Sequence, residues 1–120
     1  MADKDLLGRA GEDRAARHLE ARGYVLLDRN WRGPDGELDL VVATPDHLVV
    51  VEVKTRSGDR FGHPFEAIDE RKRRRLRRLT MAWVAGHPEQ VQGRRIRIDA
   101  IGVIGPDPAT AKLEHVSDVA

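Results

Sequence analysis

Two acids and a lysine in this chain are placed where they could do chemistry together. They are Asp39, Glu52 and Lys54, all within the stretch Gly36 to Arg56, G-E-L-D-L-V-V-A-T-P-D-H-L-V-V-V-E-V-K-T-R. Carboxylates held side by side near apolar cover repel each other unless one keeps a proton or a cation sits between them. A hard divalent ion answers that need, because Mg²⁺ is typically held by one or two carboxylates plus waters and substrate phosphate oxygens. A lysine one alternation along the strand would then stabilise charge on an attacking water or on phosphoryl oxygens.

The elements that must position these groups are two strands of a hairpin. The apolar runs Leu38 to Ala43 and Leu48 to Val53 flank Thr44-Pro45-Asp46-His47, where Pro followed by Asp suits a type I turn. If Thr44 faces His47, Asp39 lies opposite Glu52 and Glu37 opposite Lys54, with facing Cβ atoms roughly 4.5–5.5 Å apart. Val41, Ala43, Leu48 and Val50 continue the same face, so the charges form an island at one end of an apolar surface that needs covering. The alternative is a solvated hairpin face carrying a Glu37–Lys54 ion pair.

A third acid points the same way. Helix-forming residues run from about Asp5 to Arg22, and Gly23 stands where a C-cap glycine belongs. On a 3.6-residue repeat, Gly8, Glu12, Ala15, Ala16 and Leu19 share a face that is small or apolar except at Glu12. That face would let the helix approach a sheet closely and, if this helix is the cover, bring the Glu12 carboxylate over the Asp39/Glu52 island. A rotated helix is equally open, with Leu6, Leu7, Ala10 and Leu19 inward and Glu12 paired with Arg9 or Arg17.

Composition sets the frame. A chain of 120 residues makes one domain, residues 1–120, with a modest core. Cys is absent, and neither a secretory leader nor a membrane-length apolar run is read, which favours a cytoplasmic setting without membrane attachment. Without Cys, thiolate metal sites and Cys nucleophiles are excluded. The five His (His18, His47, His63, His87, His115) lack zinc-binding spacing. Neither Ser57 nor Ser117 sits in a nucleophile-elbow pattern, and there is no Walker A or G-x-G-x-x-G run.

The formal net charge of +1 hides an asymmetry, since Arg71-Lys72-Arg73-Arg74-Arg75-Leu76-Arg77-Arg78 holds seven cations in eight positions. The segment reads as a helix, with Ile68, Leu76, Leu79 and Trp83 on one stripe, Asp69 or Glu70 near its start, and Gly86-His87-Pro88 stopping it. Every other face is cationic, as expected beside a polyanion. Arg is nevertheless the default cation of the chain, so a plain charged surface helix is the competing reading.

The rest is scaffolding. Tyr24 to Asp28 reads as a short strand, and Arg29 to Gly36 as a turn-rich loop in which Trp31 plugs a core edge or stacks on a base. Ser57 to Pro64, with Gly58, Gly62 and His63, reads as a loop and a candidate flap. A strand from about Ile96 to Ile104, a Gly-Pro-Asp-Pro turn and a short strand near Leu113 to Val116 complete the chain.

The order is helix, strand, strand, strand, helix, strand: an antiparallel meander, then a helical crossover to a parallel strand. With Asp39 starting one strand, Glu52-Val53-Lys54 ending the next and Glu12 on the first helix, the chain resembles the restriction-endonuclease-like PD-(D/E)xK fold. Within it the chain is most similar to the small bacterial YraN-like proteins, which are similar to archaeal Holliday junction resolvases. Gly11-Glu12, Arg29-Asn30, Gly36 to Leu40, Val51 to Arg56, Phe65 to Ile68 before Lys72, and Arg97-Ile98-Asp99 carry the likeness across nearly the whole chain. One departure is Leu38, where the motif's name has proline.

The resemblance implies an α/β fold, a restriction-endonuclease-like core of α-β-β-β-α-β order with a mixed sheet flanked by helices. It implies Mg²⁺ (or Mn²⁺) held by Asp39 and Glu52, with the Val53 carbonyl added, Glu12 acting through water, and Lys54 positioning the nucleophilic water. The catalytic set is then Glu12, Asp39, Glu52 and Lys54. Arg56, Arg71, Lys72, Arg74, Arg75, Arg77 and Arg78 are the candidate nucleic-acid contacts. The expected activity is metal-dependent phosphodiester cleavage of DNA, branched or single-stranded, with a homodimer left open. A non-catalytic nucleic-acid-binding module on the same fold is the second expectation, and a protein-interaction domain whose basic helix docks an acidic partner is the third.

Overall fold

The structure is a computed structural model that describes residues 2–58, 60 and 62–120, so Asp59 and Phe61 of the expected Ser57–Pro64 flap lie outside the described residues. The elements run α1 (Ala2–Ala21), β1 (Val25–Gly33), β2 (Gly36–Ala43), β3 (His47–Arg56), a single 3₁₀ turn (Pro64–Ala67), α2 (Glu70–Gly86), α3 (Pro88–Val91), β4 (Arg95–Ile104) and β5 (Lys112–Val116). The strands form one sheet in chain order, antiparallel except for the parallel β3–β4 pair across which α2 crosses over. This is a five-stranded mixed α/β arrangement with the restriction-endonuclease-like core that the resemblance implies.

The β2–β3 turn fixes the register as its residues predict. Thr44 N donates to His47 O at 2.9 Å, and the facing pairs run from Ala43–Leu48 through Val42–Val49 and Val41–Val50 to Leu40–Val51. There the ladder stops. Leu40 packs on the α1 side while Leu38, two residues earlier, packs on the α2 side, so β2 leaves its partner at Asp39.

Two apolar layers cover the sheet. Ala15, Ala16 and Leu19 of α1 pack on Leu40, Val42, Val49, Val51 and Val53, whereas Leu76, Leu79 and Trp83 of α2 pack on Val41, Leu48, Val50 and Ile98. The inward face of α1 is the Gly8/Ala15/Ala16/Leu19 face, with Gly11 also buried and Leu6 exposed. Gly11 is required there, because a Cβ at that position would collide with the Thr55 side chain. Trp83 donates its indole N–H to Asp28 at 2.9 Å and stacks on His87, closing the α2 layer.

Three expectations change. The segment Arg29 to Gly36 is strand as far as Gly33, pairing with β2 down to Gly33–Gly36, and the turn is confined to Pro34-Asp35. Pairing absorbs the turn-favouring Asn30 by placing it in the left-handed region, at φ 54°. The 3₁₀ turn and α3 are additions, each started by a proline in its first turn. No helix among the described residues is long and apolar enough to cross a membrane.

Candidate active site

The point where β2 leaves β3 is where the acids meet. Asp39 spends one carboxylate oxygen on the Val53 amide, 2.8 Å away, so a side chain takes over from the backbone ladder as the strands diverge. Glu52, only 3% exposed, lies beside it, and the two carboxyls share a hydrogen bond. Burial first, and then the Glu52 charge, push the Asp39 carboxyl up to about 8, against the opposing pull of the Val53 amide. The pair therefore holds a proton near neutral pH in the absence of a cation.

Two ammonium groups converge on the same Glu52 oxygen. Lys54 Nζ stands 3.5 Å and Lys72 Nζ 3.0 Å from Glu52 Oε2. Lys54 is thus turned toward Glu52, and the expected Glu37–Lys54 apposition does not form, because the ladder has ended before it. Glu37 faces Arg32 on β1 and is exposed. Lys72, assigned from sequence to the cationic surface of the helix, belongs to this cluster instead. Its signal was present, since Lys72, Leu76, Leu79 and Trp83 form one inward stripe at helical spacing. The dense run of cations obscured it.

Glu12 reaches the cluster from the other layer. The face carrying Glu52 is covered by α2, not by α1, which corrects the expected cover. The separation of β2 from β3 nevertheless leaves Glu12 in a groove with Gly8, Val53, Lys54, Thr55 and Arg56, close enough for its charge to act on Asp39. Burial raises its carboxyl, while a hydrogen bond with Asn30 and the charge of Arg29 oppose that rise. Arg29 Nε is 3.8 Å from Glu12 Oε1, so the partner is Arg29 and neither Arg9 nor Arg17. Glu12 Oε1 is buried without a hydrogen-bond partner. The Arg29-Asn30 pair, with Asn30 in its left-handed conformation, is the support that side-chain spacing alone does not reveal.

These donors fit a hard divalent cation. All are oxygens, the raised Asp39 carboxyl carries a proton that a cation can replace, and Glu12 Oε1, ion-paired with Arg29 but without a hydrogen bond, is suited to accept from a water. Among the described residues no group of three or more His, Cys, Asp or Glu closes on one metal position. The set is therefore two carboxylates with Glu12 standing off, which matches an ion that keeps several waters better than one caged by protein.

The basic helix is partly neutralised from within. Arg73 and Arg77 pair with Glu70, at 3.4 and 3.1 Å, and Arg78 pairs with Asp35 at 2.9 Å. Arg71, Arg74 and Arg75 are exposed and make no ion pair among the described residues. Arg56 lines the Glu12 groove and bonds the Thr55 carbonyl at 3.2 Å.

Comparison with known proteins finds relatives that match nearly the whole chain. The model of the "Uncharacterised protein family UPF0102" matches residues 11–103, a span that includes Glu12, Asp39, Glu52, Lys54 and Lys72. A UPF0102 protein of Paenarthrobacter aurescens is 50% identical over 119 residues, covering 99% of this chain and 97% of the relative. One from Frankia casuarinae is 50% identical over 116 residues, 97% of each chain, and one from Beutenbergia cavernae is 48% identical over 119 residues, 99% of each.

Proposed function

We propose that this chain, which belongs to the uncharacterised protein family UPF0102, is a metal-dependent phosphodiesterase acting on DNA, with branched or single-stranded DNA as its substrate class. UPF0102 is the YraN family, a member of the restriction-endonuclease-like superfamily. Fold alone does not assign an activity, so the reading rests on the site. The observation that carries it is the pairing of half-buried Asp39 with buried Glu52, with lysine ammonium on Glu52, at the place where β2 and β3 separate. An acid pair of this kind costs stability, and such costs concentrate where chemistry is done.

Asp39 and Glu52 would hold Mg²⁺ or Mn²⁺, which when bound supplies polarisation of a phosphoryl oxygen and eases deprotonation of water. Lys54 is placed to stabilise charge on the attacking water or the phosphoryl oxygens, an electrostatic contribution strengthened by its partly buried position. Glu12 orients water through Oε1, which has no hydrogen-bond partner, and Asn30 and Arg29 hold Glu12 in place. Attack of water on phosphorus breaks one backbone P–O bond, and the leaving oxygen takes up a proton. Arg71, Arg74 and Arg75 serve the flanking phosphates, which fix the strand without reading its bases.

A second reading, a non-catalytic nucleic-acid-binding module, draws on the two ammonium groups that already answer the Glu52 charge. Incubation with branched, flapped and single-stranded DNA, in Mg²⁺ or Mn²⁺ and in chelator, separates the two. Cleavage that needs the divalent ion and disappears in Glu52→Gln is the expected result. DNA bound but intact under every condition would favour the module.

A further inference from the structure

The shortest ion pair on Glu52 comes from a residue outside the motif that drew attention to it. Lys72 Nζ is 3.0 Å from Glu52 Oε2, nearer than Lys54 Nζ at 3.5 Å. Its side chain is 24% exposed, whereas Arg71, Arg74 and Arg75 around it on α2 are exposed. The direction is built in. Asp69 caps α2 on the Lys72 amide at 2.9 Å, fixing the first turn, and the buried Leu76, Leu79 and Trp83 anchor the same stripe one, two and three turns further on.

We infer that Lys72 is the resident counter-cation of the acidic centre and the lysine that meets the phosphoryl group, rather than one of the helix's backbone-tracking cations. The inference rests on the nuclease reading above. A divalent ion at Asp39 and Glu52 would stand beside two further positive charges if both ammonium groups kept their places. Like charges a few ångströms apart at a half-buried site oppose each other strongly. Lys72 has a flexible four-carbon stem and a compact charge, so it can yield Glu52 to the ion and turn to the nearest remaining anion, a phosphoryl oxygen of the bound strand.

Calorimetric titration of the full chain with Mg²⁺ and with Mn²⁺ tests this, using the parent protein, Lys72→Met, Lys72→Gln and Lys72→Arg. Removing the competing ammonium should tighten divalent-ion binding roughly tenfold in the Met and Gln variants, and lower the melting temperature of the metal-free protein. Lys72→Arg, which keeps the charge, should return the parental affinity. A purely structural lysine would weaken ion binding when removed, and a backbone-tracking lysine would leave it unchanged while flattening the salt dependence of DNA binding. Either outcome overturns the inference and leaves the nuclease reading standing. If the parent itself binds neither ion, with DNA present or absent, the nuclease reading falls and this inference with it.

Discussion

Asp39 carries the cost of the site. Its carboxyl is pushed up to about 8 by burial and by Glu52, against the pull of the Val53 amide that donates to it and fixes its position. Asp39→Asn keeps the shape of the protonated acid, with a carbonyl to accept from Val53 and an amide to donate to Glu52. Metal-free stability of this variant should equal or exceed that of the parent at neutral pH, while calorimetric binding of Mg²⁺ or Mn²⁺ disappears. Asp39→Ala should instead lose about 1–3 kcal/mol in denaturant melts, because the Val53 amide is left without its acceptor. The proximity of Asp39 and Glu52 was legible in sequence because the turn at Pro45 and Asp46 sets a register that holds as far as Leu40–Val51, one residue short of the acids. Lys72 was legible in principle, through its stripe with Leu76 and Leu79, but seven cations in eight positions made one inward lysine look like its neighbours. Asn30 was not legible as a support for Glu12, because its left-handed backbone appears only once β1 pairs past it.

At the scale of elements, α2 does two jobs on two faces. Its inward stripe covers the sheet and delivers Lys72, and its outer face offers cations of unequal use. Arg73, Arg77 and Arg78 already spend charge on Glu70 and Asp35, whereas Arg71, Arg74 and Arg75 do not. Replacing Arg71, Arg74 and Arg75 with Ala should therefore weaken DNA binding alike for all sequences. The slope of log K against log salt should flatten by roughly 0.7–0.9 for each phosphate left without its arginine. Replacing Arg73, Arg77 and Arg78 should flatten it less, and equal slopes in the two triple variants would show that the internal ion pairs do not matter. The helix itself was readable from its cap, stripe and stop. Its pairing with Asp35 was not, because Asp35 lies in a turn 43 residues away. The same non-locality hid the reach of β1, whose turn-favouring residues look like loop until β2 pairs with them.

Over the whole molecule, the most deeply buried charge lies away from the proposed active site and ties distant parts of the chain together. Asp99 on β4 is fully buried. It receives Arg97 Nε at 2.8 Å and Nη2 at 2.9 Å, lies 2.9 Å from His115 Nε2 on β5, and receives the Asp118 amide at 3.1 Å. Arg97 also donates to Tyr24 Oη at 2.8 Å, and His18 of α1 meets the edge of His115, so both ends of the chain join this network. None of this is periodic in sequence, and Arg97-Ile98-Asp99 reads there only as part of a likeness. Burial alone would push the Asp99 carboxyl up, but the hydrogen bonds from Arg97, His115 and the Asp118 amide together outweigh it and hold it below the usual carboxylate range. A carboxyl lowered on folding adds stability that is present above its unfolded pKa, roughly 4, and is lost as pH falls below that toward the folded value. Asp99→Asn should accordingly cost about 3 kcal/mol at pH 7, since it leaves Arg97 facing a neutral amide in a buried network. The gap to the parent should close progressively below about pH 4. Urea melts of both proteins from pH 7 downward would check this. A gap that stays constant to pH 3 would mean that Asp99 acts through packing, with its charge contributing little to holding β5 and the tail on the sheet.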